Sequence, residues 1–179
     1  MQPRGPLMVE HRLIERMIAL MKAEIEKIQA AEEMDPAFIG TAVDFMRVYA
    51  DRTHHGKEEE ILFHDLAAKA MAPDHEAMMG GLVAEHRYAR HLTGSLVRAR
   101  DAYVSGDKEV LGRVISLLMS LTDFYPQHIA KEDEEFFPAA MAYLSDREQE
   151  AMLNRFWEFD RSMIHGTYES VVKTLETRG

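Results

Sequence analysis

The sequence contains no cysteine. This absence excludes disulfide bonds, thiol catalysis and thiolate ligation of zinc or iron–sulfur clusters. Any metal ion would therefore need histidine, aspartate, glutamate or tyrosine ligands. Long apolar runs are missing too: none approaches the roughly 20 residues that span a bilayer, and the N-terminal MQPRGPLMVEHR lacks the apolar core of a signal peptide. We therefore expect no membrane association and a cytoplasmic location.

Positive charge is also scarce. The 179 residues include 21 lysines and arginines against 31 aspartates and glutamates, which gives a formal net charge of −10. The basic residues do not cluster in the sequence, whereas binding to a phosphate backbone needs a basic face. We therefore expect no nucleic-acid partner, and the same net charge disfavours acidic partners.

Apolar residues make up 46% of the chain and recur at helical spacing, whereas the sustained alternation typical of strands is missing. Residues that start or cap helices punctuate the chain at Asp35-Pro36, Ala72-Pro73-Asp74, Ser105-Gly106-Asp107 and Ser145. The sequence predicts an all-α fold with helices at about 7–31, 36–71, 74–104, 107–144 and 146–177. We expect one domain over residues 1–179: an antiparallel up-down four-helix bundle over 8–144 and an additional C-terminal helix over 146–177.

Histidine and glutamate follow an internal repeat. Glu10-His11-Arg12 precedes His54-x-x-x-Glu58, and Glu85-His86-Arg87 precedes His128-x-x-x-Glu132 at nearly the same interval. The segments HHGKEEEILF and HIAKEDEEFF align around the two His-x-x-x-Glu pairs. Residues four apart share one helix face, and all of these positions continue apolar rows. The candidate metal ligands are His11, His54, Glu58, His86, His128 and Glu132.

The register of the repeat favours His54 with Glu58 over the overlapping pair His55 with Glu59. That second pair is rotated by about 100° around an α-helix, so we expect it on the flank of the bundle or in solvent. In the acidic run 132–135 we expect only the first glutamate to point inward.

Two carboxylates buried without partners would be costly, and bound cations are the simplest compensation. Ligation by imidazole and carboxylate suits iron, manganese or zinc better than copper(I), and a carboxylate can bridge a pair of ions. A dinuclear metal site is therefore the leading hypothesis.

These residues, together with Lys57-Glu58-Glu59 and Phe136-Phe137-Pro138, resemble the hemerythrin-like (HHE cation-binding) family over roughly residues 8–144. The resemblance implies a four-helix bundle that encloses two iron ions in a non-heme di-iron centre. It also implies that the six candidate ligands hold the irons and that the two glutamates bridge them. The expected partner is dioxygen or another small diatomic ligand, for carriage, storage or sensing.

The chain departs from oxygen-carrying members of that family in the third helix. Those members place a further histidine four residues after the third-helix ligand, where this chain has Arg90. The additional ligand could be His91, His165, Tyr49, Tyr125, Glu15 or water. Pro126 also stands two residues before the ligand His128 and is expected to disturb the helix there.

Two other functions stay open. The substitution at Arg90 motivates a di-iron enzyme, or a repair or iron-handling factor, that acts on peroxide or nitric oxide. A plain helical interaction module whose histidines bind zinc incidentally is the third hypothesis, and it predicts stability that does not depend on metal.

Overall fold

The structure is a computed structural model that describes the backbone of residues 1–176 and the side chains of residues 1–163. Every regular element in the described part of the chain is helical, and the elements join into five helices. These are α1 (Arg4–Ala31), α2 (Pro36–Phe45, Met46–His55, Glu58–Phe63 and His64–Leu66), α3 (Pro73–Val104), α4 (Leu111–Ala130, Lys131–Phe136 and Phe137–Met141) and α5 (Asp146–Glu176). A short 3₁₀ turn, Lys108–Val110, precedes α4. The predicted all-α class is confirmed.

Side chains cap the helix ends at three of the predicted punctuation points. Asp35 accepts a hydrogen bond from the backbone N–H of Ala37, just before α2. Asp107 accepts one from Glu109 in the turn before α4. At the start of α5, Ser145 and Glu148 bond each other's backbone N–H, which is the reciprocal capping box. These local bonds satisfy N–H groups that a helix leaves unpaired at its start.

Three stretches beside the repeated histidines wind more widely than an α-helix. Met46–His55, Glu58–Phe63 and Lys131–Phe136 are π-helical, with bonds that span five residues, such as Gly56 N–H to Asp51 C=O. A wider turn rotates successive side chains by less than the roughly 100° of an α-helix. Neighbouring residues in these stretches can therefore both face the interior.

Pro126 lies inside α4, and the disturbance of the helix that the sequence predicts before His128 is not observed. The α-helical winding continues from Leu111 to Ala130 and widens only at Lys131. Inside a helix, a proline removes one hydrogen bond and its ring crowds the carbonyl group four residues earlier, which together cost about 3 kcal/mol. The buried row of α4 runs on both sides of it and includes Thr122, Tyr125, His128 and Ile129. Packing of this row stabilises the helix against that loss.

The core consists of two apolar clusters separated by a polar layer. In each of the first four helices, a buried row carries a histidine. The residues of the row before that histidine belong to one apolar cluster, and those after it belong to the other. On α1, for example, His11 lies between Leu7 and Ile14, and on α3 His86 lies between Leu82 and Ala89. The predicted inward rows thus bring four histidines to the same level.

The fifth helix packs against the π-helical part of α2. The predicted C-terminal helix over 146–177 is observed from Asp146 to Glu176, and its last predicted residue lies outside the described part of the chain. No helix among the described residues combines the length and the apolar character needed to cross a bilayer.

Candidate metal centre

The six predicted ligands converge in the polar layer. All six side chains are buried. His11, His54, Glu58 and Glu132 each place one ligand atom within 4.8 Å of the others, and we name these four residues the first group. His86 and His128 belong to an adjoining second group, whose third member is His55.

The expected position of His55 on the flank or in solvent is wrong. Its side chain is only 1% exposed, and its ring stacks on His86 with the centroids 3.8 Å apart. The wide π-helical winding lets His54 and His55 both face inward. The sequence already indicated that His55 is buried, because the repeat aligns it with Ile129, a residue of the apolar core.

Each buried glutamate faces histidines of both groups. The Oε1 atom of Glu58 lies 3.6 Å from His54 Nε2, and its Oε2 atom lies 3.4 Å from His86 Nε2. Glu132 has the same relation: its Oε2 atom is 3.2 Å from His11 Nε2, and its Oε1 atom is 3.3 Å from His128 Nε2. This is the orientation that a carboxylate needs in order to bridge two ions.

These carboxylates have no hydrogen-bond partner among the described residues. Both oxygens of Glu58, both oxygens of Glu132, and the Nε2 atoms of His86 and His128 are buried and unpaired. Burying a charged carboxylate without compensation costs several kcal/mol. A pair of cations between the two groups would satisfy all six atoms, so the residues present fit a dinuclear metal site.

Burial also sets the charge state of the centre. It raises the pKa of Glu58 and of Glu132 well above the ordinary value. Burial lowers the pKa of His54 and His55 well below the ordinary value, and it lowers the pKa of His128 to about 4. These three imidazoles are thus neutral at neutral pH, which is the form that binds metal, and binding of cations would displace the carboxyl protons.

A carboxylate on a different helix supports each of the four histidines that lie on the repeat. Glu10 accepts a hydrogen bond from His54 Nδ1 at 2.9 Å, and Glu85 accepts one from His128 Nδ1 at 2.8 Å. The glutamate of each Glu-His-Arg motif therefore reaches the histidine of the following helix. With Nδ1 donating, the Nε2 lone pair points into the centre, as in other metal sites with histidine ligands.

The carboxylates that bind the other two histidines each come directly after a buried glutamate in the sequence. Glu59 accepts a hydrogen bond from His86 Nδ1 and Asp133 accepts one from His11 Nδ1, both at 2.7 Å. The prediction that only Glu132 in its acidic run points inward is therefore wrong, since Asp133 does so as well. Sequence reasoning missed these carboxylates because their partners lie on distant helices.

Arg90 stabilises two carboxylates that contact histidines of the second group. It binds Glu59 at 2.8 Å and Asp51 at 2.7 Å, and Asp51 lies 3.3 Å from His55 Nδ1. At the position where oxygen-carrying relatives are expected to have a histidine, this chain therefore has a cation that holds the carboxylates beside His55 and His86.

The other side chains considered as additional ligands belong to neither group among the described residues. His91 is exposed, and Glu15 and Tyr49 are only half-buried. Tyr125 is buried and lines a cavity beside the centre. His165 lies outside the described side chains.

That cavity has a volume of about 280 Å³ and opens between α2, α3 and α4. His55, Tyr125, Asp51 and Arg90 are among its lining residues. A diatomic molecule is much smaller than this volume, so the cavity can admit one to the edge of the second group.

The helices and the paired groups define a metal-binding helical protein. The sequence matches the profile of the hemerythrin HHE cation binding domain over residues 5–140, and the chain belongs to this family. Similar curated proteins are an uncharacterized protein of Mycobacterium bovis and uncharacterized proteins of two Mycobacterium tuberculosis strains, each 23% identical over 167 residues. The match covers 93% of this chain and 64% of each relative. The chain thus spans less than two thirds of the length of these relatives. No solved structure matches it.

Proposed function

We propose that the protein holds two iron ions as a non-heme di-iron centre and binds dioxygen or a related small diatomic ligand there. The observation that carries this proposal is the set of four buried carboxylate oxygens, from Glu58 and Glu132, that face two groups of histidine nitrogens and lack other partners. Imidazole and carboxylate ligands suit iron, and manganese or zinc are possible in the same site.

We assign His11 and His54 to the first ion, and His55, His86 and His128 to the second. Glu58 and Glu132 would bridge the two ions, because each turns one oxygen toward each group. The first four helices, which carry these ligands, enter the polar layer alternately from one apolar cluster and from the other. This alternation supports the antiparallel up-down bundle proposed for residues 8–144.

When bound, a reduced iron pair would supply the electrons used in reversible dioxygen binding. The protein itself provides the environment of the proposed iron pair. The two apolar clusters exclude water from both sides of the layer. The supporting carboxylates hold the imidazoles in one orientation. The cavity beside His55 provides a passage from the surface.

The test is metal analysis combined with ultraviolet–visible spectroscopy, on protein purified without a metal-binding tag. We expect about two irons per chain and a charge-transfer band that appears in air and disappears reversibly when the ligand is removed. A Glu60→Ala variant, which loses an exposed glutamate of α2, is the matched control and should behave like the parent. Absence of iron, or substoichiometric zinc with a featureless spectrum, would overturn the proposal.

An enzyme that acts on peroxide or nitric oxide is the second candidate. The missing histidine at Arg90 first motivated it, and His55 now supplies a third imidazole in the second group. The remaining support is the polar wall of the cavity, where Asp51, Arg90 and Tyr125 could bind a polar small molecule. Peroxide decomposition and nitric-oxide consumption should then fall in a Glu58→Ala variant, and unchanged rates would rule this candidate out.

A further inference from the structure

The C-terminal helix α5 lies directly on the turn of α2 between His54 and Glu58. Gly56 marks the closest approach: a Cβ atom there would lie 2.8 Å from Cζ of Phe159 on α5. The ring of Phe156, also on α5, lies 5.9 Å from the Lys57 ammonium. No side chain larger than hydrogen fits at position 56 unless α5 or its Phe159 ring moves.

Lys57 connects this helix to the first group. Its side chain is completely buried, and its ammonium lies 2.7 Å from Asp160 Oδ1 on α5. The same ammonium is bonded to Glu10, which accepts the hydrogen bond from His54 Nδ1. A chain of polar contacts therefore runs from Asp160 through Lys57 and Glu10 to His54.

The repeat provides an internal comparison for this chain of contacts. Lys131 occupies the position of Lys57 in the second half and binds Glu85, which supports His128. Lys131 remains 37% exposed, and among the described residues its ion pair is with Glu85 alone. Solvent can therefore compensate the charge of Lys131, whereas the buried Lys57 depends on two carboxylates.

We propose that α5 is part of the metal centre and that Asp160 is a positioning residue for the ion held by His11 and His54. This inference rests on the proposed two-ion function. Asp160 shares the positive charge of Lys57. Without that negative charge, the whole charge of the ammonium acts on Glu10 and His54. Glu10 then supports the imidazole less strongly, and the more positive surroundings disfavour a cation nearby.

The experiment compares an Asp160→Asn variant with Glu158→Gln, which removes an exposed carboxylate from the same helix. Each full-length protein is loaded with ferrous iron without oxygen, and iron release to a chelator is followed with time. We expect Asp160→Asn to release one of its two irons about 10- to 100-fold faster and the other at the parental rate. Glu158→Gln should match the parent, and Asp160→Glu should restore slow release.

A Mössbauer spectrum provides a readout that a purely structural role of α5 would not change. One of the two iron signals should shift in Asp160→Asn while the other stays at its parental position. Gly56→Ala, which forces Phe159 away from α2, should also accelerate release of one iron only, so the test does not depend on a single variant.

Three results would overturn the inference. Parental release rates in Asp160→Asn would show that Asp160 does not act on the ion. Equal acceleration of both irons would show that α5 stabilises the fold in general. A parent protein that binds fewer than two irons would overturn the proposed function together with this inference. That result is distinguishable from a failure of the inference alone, because it appears before any variant is compared.

Discussion

The two halves of the centre share one residue pattern and differ in what surrounds it. In α1 with α2, and again in α3 with α4, a glutamate before a histidine supports the histidine of the next helix. A lysine three residues after that second histidine binds the same glutamate in both halves. The repeat therefore contains the candidate ligands and also the residues that contact them from behind.

Two differences between the halves bear on the metal centre. Position 55 is a histidine, whereas the aligned position 129 is an apolar isoleucine. His55 comes from the first half but joins the histidines of the second, so the second group has three imidazoles and the first has two. Lys57 is buried beneath α5, whereas Lys131 is partly exposed. A symmetric repeat thus produces two unequal groups of candidate ligands.

The largest effect should come from removing both ions, which tests what the halves have in common. Ligand present at 1,000 times its dissociation constant stabilises a protein by about 4 kcal/mol. For a domain of this size that corresponds to a shift in melting temperature on the order of 10 °C. Calorimetry of iron-loaded and chelator-treated protein measures it. Equal melting temperatures would favour the helical interaction module instead.

Removing one bridging carboxylate should affect both positions. Glu58→Ala and Glu132→Ala each delete oxygens that face both groups, so we expect metal content to fall from about two ions per chain to below one in either variant. Metal analysis after gel filtration measures this, with Glu60→Ala as control. If either variant kept one tightly bound ion, that glutamate would serve a single position and the bridging assignment would be wrong.

Replacing His55 should affect only the second position. His55→Ile gives the first half the residue that the second half has at position 129, which makes the halves alike. We expect iron release from the second position to become faster than in the parent and close to the rate of the first position, because two imidazoles would then serve each ion. His91→Ala, which removes an exposed histidine, is the control. A parental release rate in His55→Ile would show that His55 is not a ligand.

The smallest effect should come from Lys131, the partly exposed lysine. Lys131→Met removes a partly exposed ion pair, and such pairs contribute at most about 1 kcal/mol. We expect less than a fivefold change in iron release from the second position. Lys57→Met, which removes a buried cation between two carboxylates, should change release from the first position more strongly. Similar effects of both substitutions would contradict the inequality of the two halves.

Several features of the fold and site could be predicted because they depend on nearby residues. Helical spacing of apolar residues gave the all-α class and the buried rows, including the row of α1 that contains His11. Capping residues such as Ser145 gave the helix starts. The six candidate ligands followed from the repeat, since residues four apart share a helix face whatever the helix packs against.

Tertiary structure decided which additional side chains join the centre. His55 was misplaced because the prediction assumed α-helical rotation, whereas α2 winds more widely at that point. Asp133 was missed because its partner His11 lies 122 residues away in the sequence. The contact of Asp160 with Lys57 likewise depends on how α5 docks on α2.

The sequence by itself therefore determined the helices and the buried rows that carry the four repeated histidines. The structure alone decided that His55 joins the centre, which carboxylate supports each histidine and why the two groups are unequal. The physical reason is that periodicity fixes directions within one helix, whereas hydrogen bonds and burial between helices depend on how close their surfaces come after packing.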